Sequence, residues 1–166
     1  MTSRSGVYVF TFVMFTALGA GAYPSIGDKV TWSGTFKDTQ GKTSEIKITK
    51  EVISFNSDSK QWKVKKDTKV GDETVTETLE TADLFTPDKF KEVLKTCVQQ
   101  GGVIETLETN PGKYETCKTS TTDARGVIIE KWWGDIPFGI VSKSTRGPSG
   151  ELTAEELPLM FATLGL

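Results

Sequence analysis

From Lys29 the apolar positions of the chain recur at every second residue, the period of a strand with one face turned inward. Val30, Trp32 and Phe36 share one side of the first such run, and Gly34 marks a bend or bulge within it. Lys37–Lys42 reads as a turn built around Gly41. Ile46, Ile48 and Val52 keep one phase while Ile53 and Phe55 fall into the other. That switch predicts a bulge near Glu51, or a strand passing from one packing face to another. Asn56–Lys60 turns the chain again, and Trp62, Val64 and Val70 mark a third strand. Val70-Gly71-Asp72-Glu73 is a tight hairpin signal, after which a Thr-rich strand sets Val75 and Leu79 against Thr74, Thr76 and Thr78.

The period then changes. Thr86 is a good N-cap, Pro87 suits the first helical position and Asp88 places an acid in the first turn. Phe90, Val93, Leu94, Cys97 and Val98 lie on one helical face, which predicts a helix over residues 87–99, ended by Gly101 and Gly102. Four more strands follow: Val103–Thr109, Tyr114–Thr121, the run GVIIEKWW with apolar residues on both faces, and Ile140–Arg146. Asn110-Pro111-Gly112, Asp123-Ala124-Arg125-Gly126 and the loop GDIPFG separate them. Thr153–Glu156 fits a capping box, yet Pro158 arrives within two turns, so the tail is expected to form a short helical turn and then a short extended segment. The predicted fold is α+β: a curled antiparallel sheet, half-open and barrel-like, of about eight strands on one main helix.

The first 22 residues do not share the alternation. Arg4 precedes the apolar stretch Val7–Ala20, and Ala20-Gly21-Ala22 supplies the small residues of a cleavage site. An apolar run of about 14 residues is too short for a bilayer-spanning helix, which needs ~20. Residues 1–22 therefore read as a signal peptide and 23–166 as a single domain with no transmembrane segment, exported to the periplasm or secreted. Export bears on the cysteines. Cys97 and Cys117 are the only two, and in an oxidising compartment such a pair most simply forms a disulfide. The closed loop of about 20 residues implies ~3 kcal/mol of stabilisation.

Composition narrows the chemistry. With 20 Lys+Arg against 22 Asp+Glu the chain is weakly acidic, at −2, and loses one further positive charge with Arg4 if the leader is removed. Duplex nucleic acid calls for a basic footprint that this balance lacks. Histidine is absent, which excludes Ser-His-Asp and Cys-His nucleophilic systems, HExxH zinc sites and C2H2 fingers. No D-x-D-x-D-G calcium loop is present, and no metal or cofactor is expected. Ser142, Lys143 and Ser144 have neither the helical context nor the partner motif of Ser-Lys catalysis. Glu77, Glu80, Glu105, Glu108, Glu115 and Glu130 on the strands are the remaining acid–base candidates, but 22 acids in a small domain produce close pairs by chance.

Glu105-Thr106, Pro111-Gly112, Tyr114–Cys117, Trp132-Trp133 and Pro137-Phe138-Gly139 form a pattern across residues 104–146 that resembles small exported bacterial β-rich proteins of uncharacterised function. In outline such proteins are similar to the curled-sheet lipoprotein-carrier class, in which a half-open barrel shelters acyl chains against helices. That class generally has more helix than this chain offers, and the resemblance transfers no ligand residue.

The aromatic and loop residues Trp132, Trp133, Ile136, Pro137 and Phe138 are the candidate binding group. Adjacent tryptophans on a strand face opposite ways, so one is expected in the core and one on an outer face or rim, where it could stack on a ligand. GDIPFG serves either as a tight structural turn or as a loop gating a ligand. Lys60, Lys63, Lys65, Lys66 and Lys69 around Trp62 read as a solvated strand face, since Lys63 and Lys65 alternate with Trp62 and Val64. The expected function is a non-enzymatic exported protein holding an apolar or amphipathic ligand, a lipid or hydrophobic small molecule, on the concave sheet face. An envelope protein-interaction module with a filled core is the alternative, and a carboxylate-based hydrolase the second.

Overall fold

A computed structural model describes residues 23–37, 40–110, 112–149 and 151–162; the proposed leader lies outside them. Nine strands and one helix follow in chain order: β1 (Lys29–Lys37), β2 (Thr43–Asn56), β3 (Gln61–Val70), β4 (Glu73–Thr81), α1 (Pro87–Thr96), β5 (Val103–Thr109), β6 (Gly112–Thr122), β7 (Ile128–Trp133), β8 (Ile140–Arg146) and β9 (Leu152–Ala162). All pairings are antiparallel, in the order β4-β3-β2-β1-β9-β8-β7-β6-β5. The molecule is thus mostly β. Two four-stranded meanders, β1–β4 and β5–β8, are joined through β9, and the sheet does not close, because β4 and β5 remain at its two ends.

The tail departs from expectation. Residues 152–162 form a ninth strand inserted between β1 and β8, in place of a helical turn and a short extended piece. Pro158 sits opposite Trp32 where the β1–β9 register shifts between Thr31 and Trp32, an irregularity of the kind that tolerates a missing N–H. The bulge in β2 falls between Val52 and Ser54, one or two residues beyond the predicted place, and it puts Phe55 opposite Trp62 with ring centroids 4.5 Å apart. The helix ends at Thr96 with Cys97 as its C-cap, three residues short of prediction.

The register assigns the faces. Val30 and Trp32 of β1 stand in line with Lys50 and Ile48 of β2, and these with Lys66 and Thr68 of β3. At the other end Ile129, Lys131 and Trp133 of β7 share a face with Cys117 of β6. Both rows contribute to one cleft lined by Lys66 and by Lys131. Five strand steps separate β3 from β7, about 24 Å in a flat sheet. The sheet therefore curls, and this face is the concave one.

The helix lies over the β6 end of that face. Thr86 caps it, its Oγ1 accepting the Lys89 N–H at 3.1 Å, and Phe90 is buried beneath it. A Cys97–Cys117 disulfide ties its C-terminus to β6, with 5.9 Å between the Cα atoms. Gly102 packs against this bond: a Cβ there would lie 2.8 Å from the Cys97 sulfur and 3.0 Å from that of Cys117. The main buried cluster comprises Val30, Trp32, Ile136 and Val141, with Ile48, Leu107, Tyr114, Phe138 and Ile140 packed on it.

Candidate functional site

The concave cleft has a volume of about 390 Å³, which falls in the ~300–1,000 Å³ range of small-ligand sites. Its apolar part is Trp32 and Ile48 from the β1–β2 side, with Ile129, Phe138 and Ile140 from the other. Lys50, Lys66, Lys131 and Lys143 complete the lining.

Each wall is held by local chemistry. Trp32 is buried to 4% exposure, and its indole N–H donates to the Ile140 carbonyl at 2.7 Å, reaching across β9 to fix the curl. Phe138 meets Trp32 edge-on, with centroids 6.4 Å apart and planes at 62°. The loop 134–139 presents it. Gly134 N–H donates to the Gly139 carbonyl and Gly139 N–H to the Ile136 carbonyl, both at 2.9 Å. Phe138 itself takes φ 66°, a left-handed conformation that few bulky residues adopt. Gly139 follows at φ 74°, and a Cβ there would come within 2.7 Å of the Phe85 ring, so the position has neither conformational nor steric room for a side chain. Lys50 Nζ lies 5.9 Å from the centroid of Trp32 and 5.8 Å from that of Phe138, within cation–π range of both.

The residues singled out from sequence are distributed over different surroundings. Phe138 alone among them lines the cleft. Ile136 is fully buried and Pro137 buried, both within the loop itself. Trp133 faces the concave side, stacked on Phe85 at 5.9 Å, with its N–H donated to Thr119 Oγ1 at 3.1 Å. Trp132 faces the other way, as strand alternation requires; its N–H donates to Glu105 Oε1 at 2.5 Å, and Lys118 Nζ lies 4.8 Å from its ring. The two tryptophans therefore do not form one patch.

Sequence reasoning passed over the lysines. The sequence pattern groups Lys66 with a solvated face, yet it stands in phase with Val64 and lines the cleft. Lys63 and Lys65 lie on the opposite face, near Glu80 at 3.5 Å and Asp67 at 2.9 Å. The signal was legible: Lys50 shares the phase of Ile48 and Val52, and Lys131 that of Ile129 and Trp133.

Most of the strand carboxylates have a basic or indole partner, and the partner of Glu77 is a lysine of the cleft itself. Glu77 pairs with Lys66 at 2.9 Å, Glu80 with Lys63, Glu108 with Lys113 at 2.5 Å, and Glu105 with the Trp132 indole. Glu130, mostly buried, meets Lys118 at 2.7 Å and Arg146 at 3.6 Å and accepts from Ser144 at 3.1 Å. The Lys118 hydrogen bond, with help from Ser144 and Arg146, holds its carboxyl below the usual range and therefore ionised. Among the described residues no group of three or more His, Cys, Asp or Glu is placed to hold a metal ion.

Fold and cleft together define an open, curled antiparallel sheet with a helix and a loop on its concave side. No protein-family model matches the chain, and no characterised protein matches it in sequence. The likeness is structural. A Bacteroides fragilis protein, assigned as exported and described as having a YmcC-like fold, superposes over 84% of this chain and 97% of its own at a TM-score of 0.54, with 9% identity. MucB superposes at 0.47 with 12% identity, over 83% of this chain and 54% of MucB. The complex of Pseudomonas aeruginosa MucA and MucB gives 0.44 and 12%, over 81% of this chain and 51% of that one. At the level of fold, the expected resemblance to exported β-rich bacterial proteins is met by the first of these. Among the described residues no helix is long and apolar enough to cross a membrane.

Proposed function

We propose that the protein is an exported, non-catalytic binding protein that holds an apolar or amphipathic ligand, such as a lipid, in the concave cleft. The observation that carries this reading is the cleft itself: Trp32, Ile48, Ile129, Phe138 and Ile140 line about 390 Å³ of open space that the helix does not fill. The leader pattern of residues 1–22 and the Cys97–Cys117 disulfide support passage into an oxidising compartment. Native mass spectrometry of the protein purified from its own envelope tests the reading. A co-purified amphiphile released on unfolding is expected; a ligand-free protein that binds no amphiphile when one is offered overturns it.

A second reading, an envelope protein-interaction module, is favoured by one feature. Strand β4 ends the sheet with Glu73–Glu80 exposed throughout, including Val75 at 59% and Leu79 at 44%. An edge of this kind can accept a partner's strand. A stoichiometric protein in the same purification, with the cleft empty, supports that alternative.

A further inference from the structure

We propose that the exposed strand β4 pairs antiparallel with β4 of a second copy of this chain, the two related by a two-fold axis through Glu77. This rests on the edge reading of β4 above and names the partner strand. The sequence of the strand carries the argument. An antiparallel strand meets its own copy in reverse order, so two-fold pairing calls for residues of like character at equal distances on either side of the axis. Val75-Thr76-Glu77-Thr78-Leu79 has that symmetry. With Glu77 on the axis, Thr76 stands opposite Thr78 of the copy and Val75 opposite Leu79, and each pair occurs twice. Threonine pairs and apolar pairs placed in this way stabilise a sheet. Further out Thr74 meets Glu80 and Glu73 meets Thr81, so no acid stands opposite another away from the axis.

The register against β3 fixes where these pairs lie. Leu79 stands opposite Val64, Glu77 opposite Lys66 and Val75 opposite Thr68. Val75 and Leu79 therefore belong to the concave face, where both are exposed, and the pairing would cover them with each other. Glu77 is the one like-charge contact in the arrangement. Each Glu77 carboxylate already holds Lys66 of its own chain at 2.9 Å, so the axis brings two ion pairs together instead of two bare acids. Lys63 compensates Glu80 in the same way, at 3.5 Å. Strands that avoid edge pairing are commonly broken by proline, a bulge or lysine. β4 has no proline and no lysine, and it runs in unbroken register with β3 from Glu73 to Thr81. Its 9 residues would make about eight to ten backbone hydrogen bonds with the copy, close to the ~10 of a typical interface. The other free edge, β5, lacks the symmetry: about its central Thr106, Glu105 would fall opposite Leu107 and Ile104 opposite Glu108.

The test is sedimentation equilibrium of the intact oxidised protein, joined to hydrogen exchange of the β4 amides. A dimer is expected with a Kd at or below about 10 µM, and alternate β4 amides should be protected in the dimer and not in the monomer. Val75→Lys/Leu79→Lys and Val75→Asp/Leu79→Asp are each expected to stay folded, because both positions are exposed, and to dimerise at least about a hundredfold more weakly. Mixed in equal amounts the two variants should associate again, since position 75 of one stands opposite position 79 of the other. A parent protein that stays monomeric at about 100 µM overturns the self-pairing and leaves β4 open to a foreign strand. A dimer whose β4 amides exchange as freely as in the monomer places the contact elsewhere and overturns the edge reading with it. Dimerisation undiminished in both charged variants, or a mixture of them that fails to associate, overturns the register.

Discussion

Asp28 is fully buried just ahead of β1, where the backbone of residues 27 and 28 continues the β1–β2 ladder through bonds to Val52. One of its oxygens accepts the Ser25 N–H at 2.6 Å; the other has no hydrogen-bond partner. Burial raises its pKa above the ordinary 3.8, with the Ser25 bond opposing only part of the shift. A raised carboxyl pKa means that the folded state holds the proton more tightly than the unfolded chain does. Stability should therefore fall as pH rises above about 4 towards the folded-state value, and stay low beyond it. Asp28→Asn keeps an acceptor for Ser25 and removes the charge. Urea unfolding between pH 4 and pH 7 should show a flatter profile for the variant, with the variant at least as stable at pH 7; parallel profiles would refute the assignment. The tryptophans give a second test at this scale. Trp133→Ala removes a ring stacked on Phe85 and should cost about 2–4 kcal/mol. Trp132→Ala, which loses one indole bond and a cation–π contact on the outer face, should cost about 1 kcal/mol. Equal losses in urea titrations would mean the two faces are not packed as differently as their contacts indicate.

At the scale of the element, what the sequence reveals depends on how local the cause is. The helix was legible because its cap, its Pro87 and its apolar stripe all lie within about fifteen residues of one another, within the range of local rules. The hairpin β3–β4 was legible for the same reason, at Val70–Glu73. Strand β9 was not, because its reasons are distant: it pairs with β1, the far end of the chain, while Thr153, Glu156 and Pro158 carry local helical and breaker signals. The cleft was only partly legible. Phe138 stands out as an aromatic in a Gly/Pro loop, whereas placing the lysines in one cleft takes a strand phase and a partner strand. The helix also depends on a covalent tether. The cysteines are 20 residues apart in sequence, and a loop of that size loses about 3 kcal/mol of constraint on the unfolded state when opened. Cys97→Ala/Cys117→Ala should lower the unfolding free energy by about that amount, and hydrogen exchange should rise first in α1 and β6. A change confined to well below 1 kcal/mol would show that packing under Phe90 alone keeps the helix in place.

The whole molecule is two local meanders that depend on one non-local strand. Within β1–β4 and within β5–β8 every pairing is between sequence neighbours, so each meander forms from short loops. Among the described residues only β9 joins them by strand pairing, with Val30 opposite Phe161 on one side and Arg146 opposite Leu152 on the other. The curl that brings Lys66 and Lys131 to one cleft, and the Trp32 bond to the Ile140 carbonyl, are expected to depend on that join. Ending the chain at Gly147 removes β9 and leaves β1 and β8 as unpaired edges. The truncated protein should keep its hairpins but lose the Trp32 indole bond. The Trp32 Nε1 proton should exchange slowly in the whole protein and freely in the truncated one, and β1 and β8 amides should lose protection together while β3–β4 amides do so less. A truncated chain that preserves slow exchange at Trp32 and full protection in β1 would mean that the two halves hold each other through the concave side chains alone, and that the ninth strand adds to a curl already made.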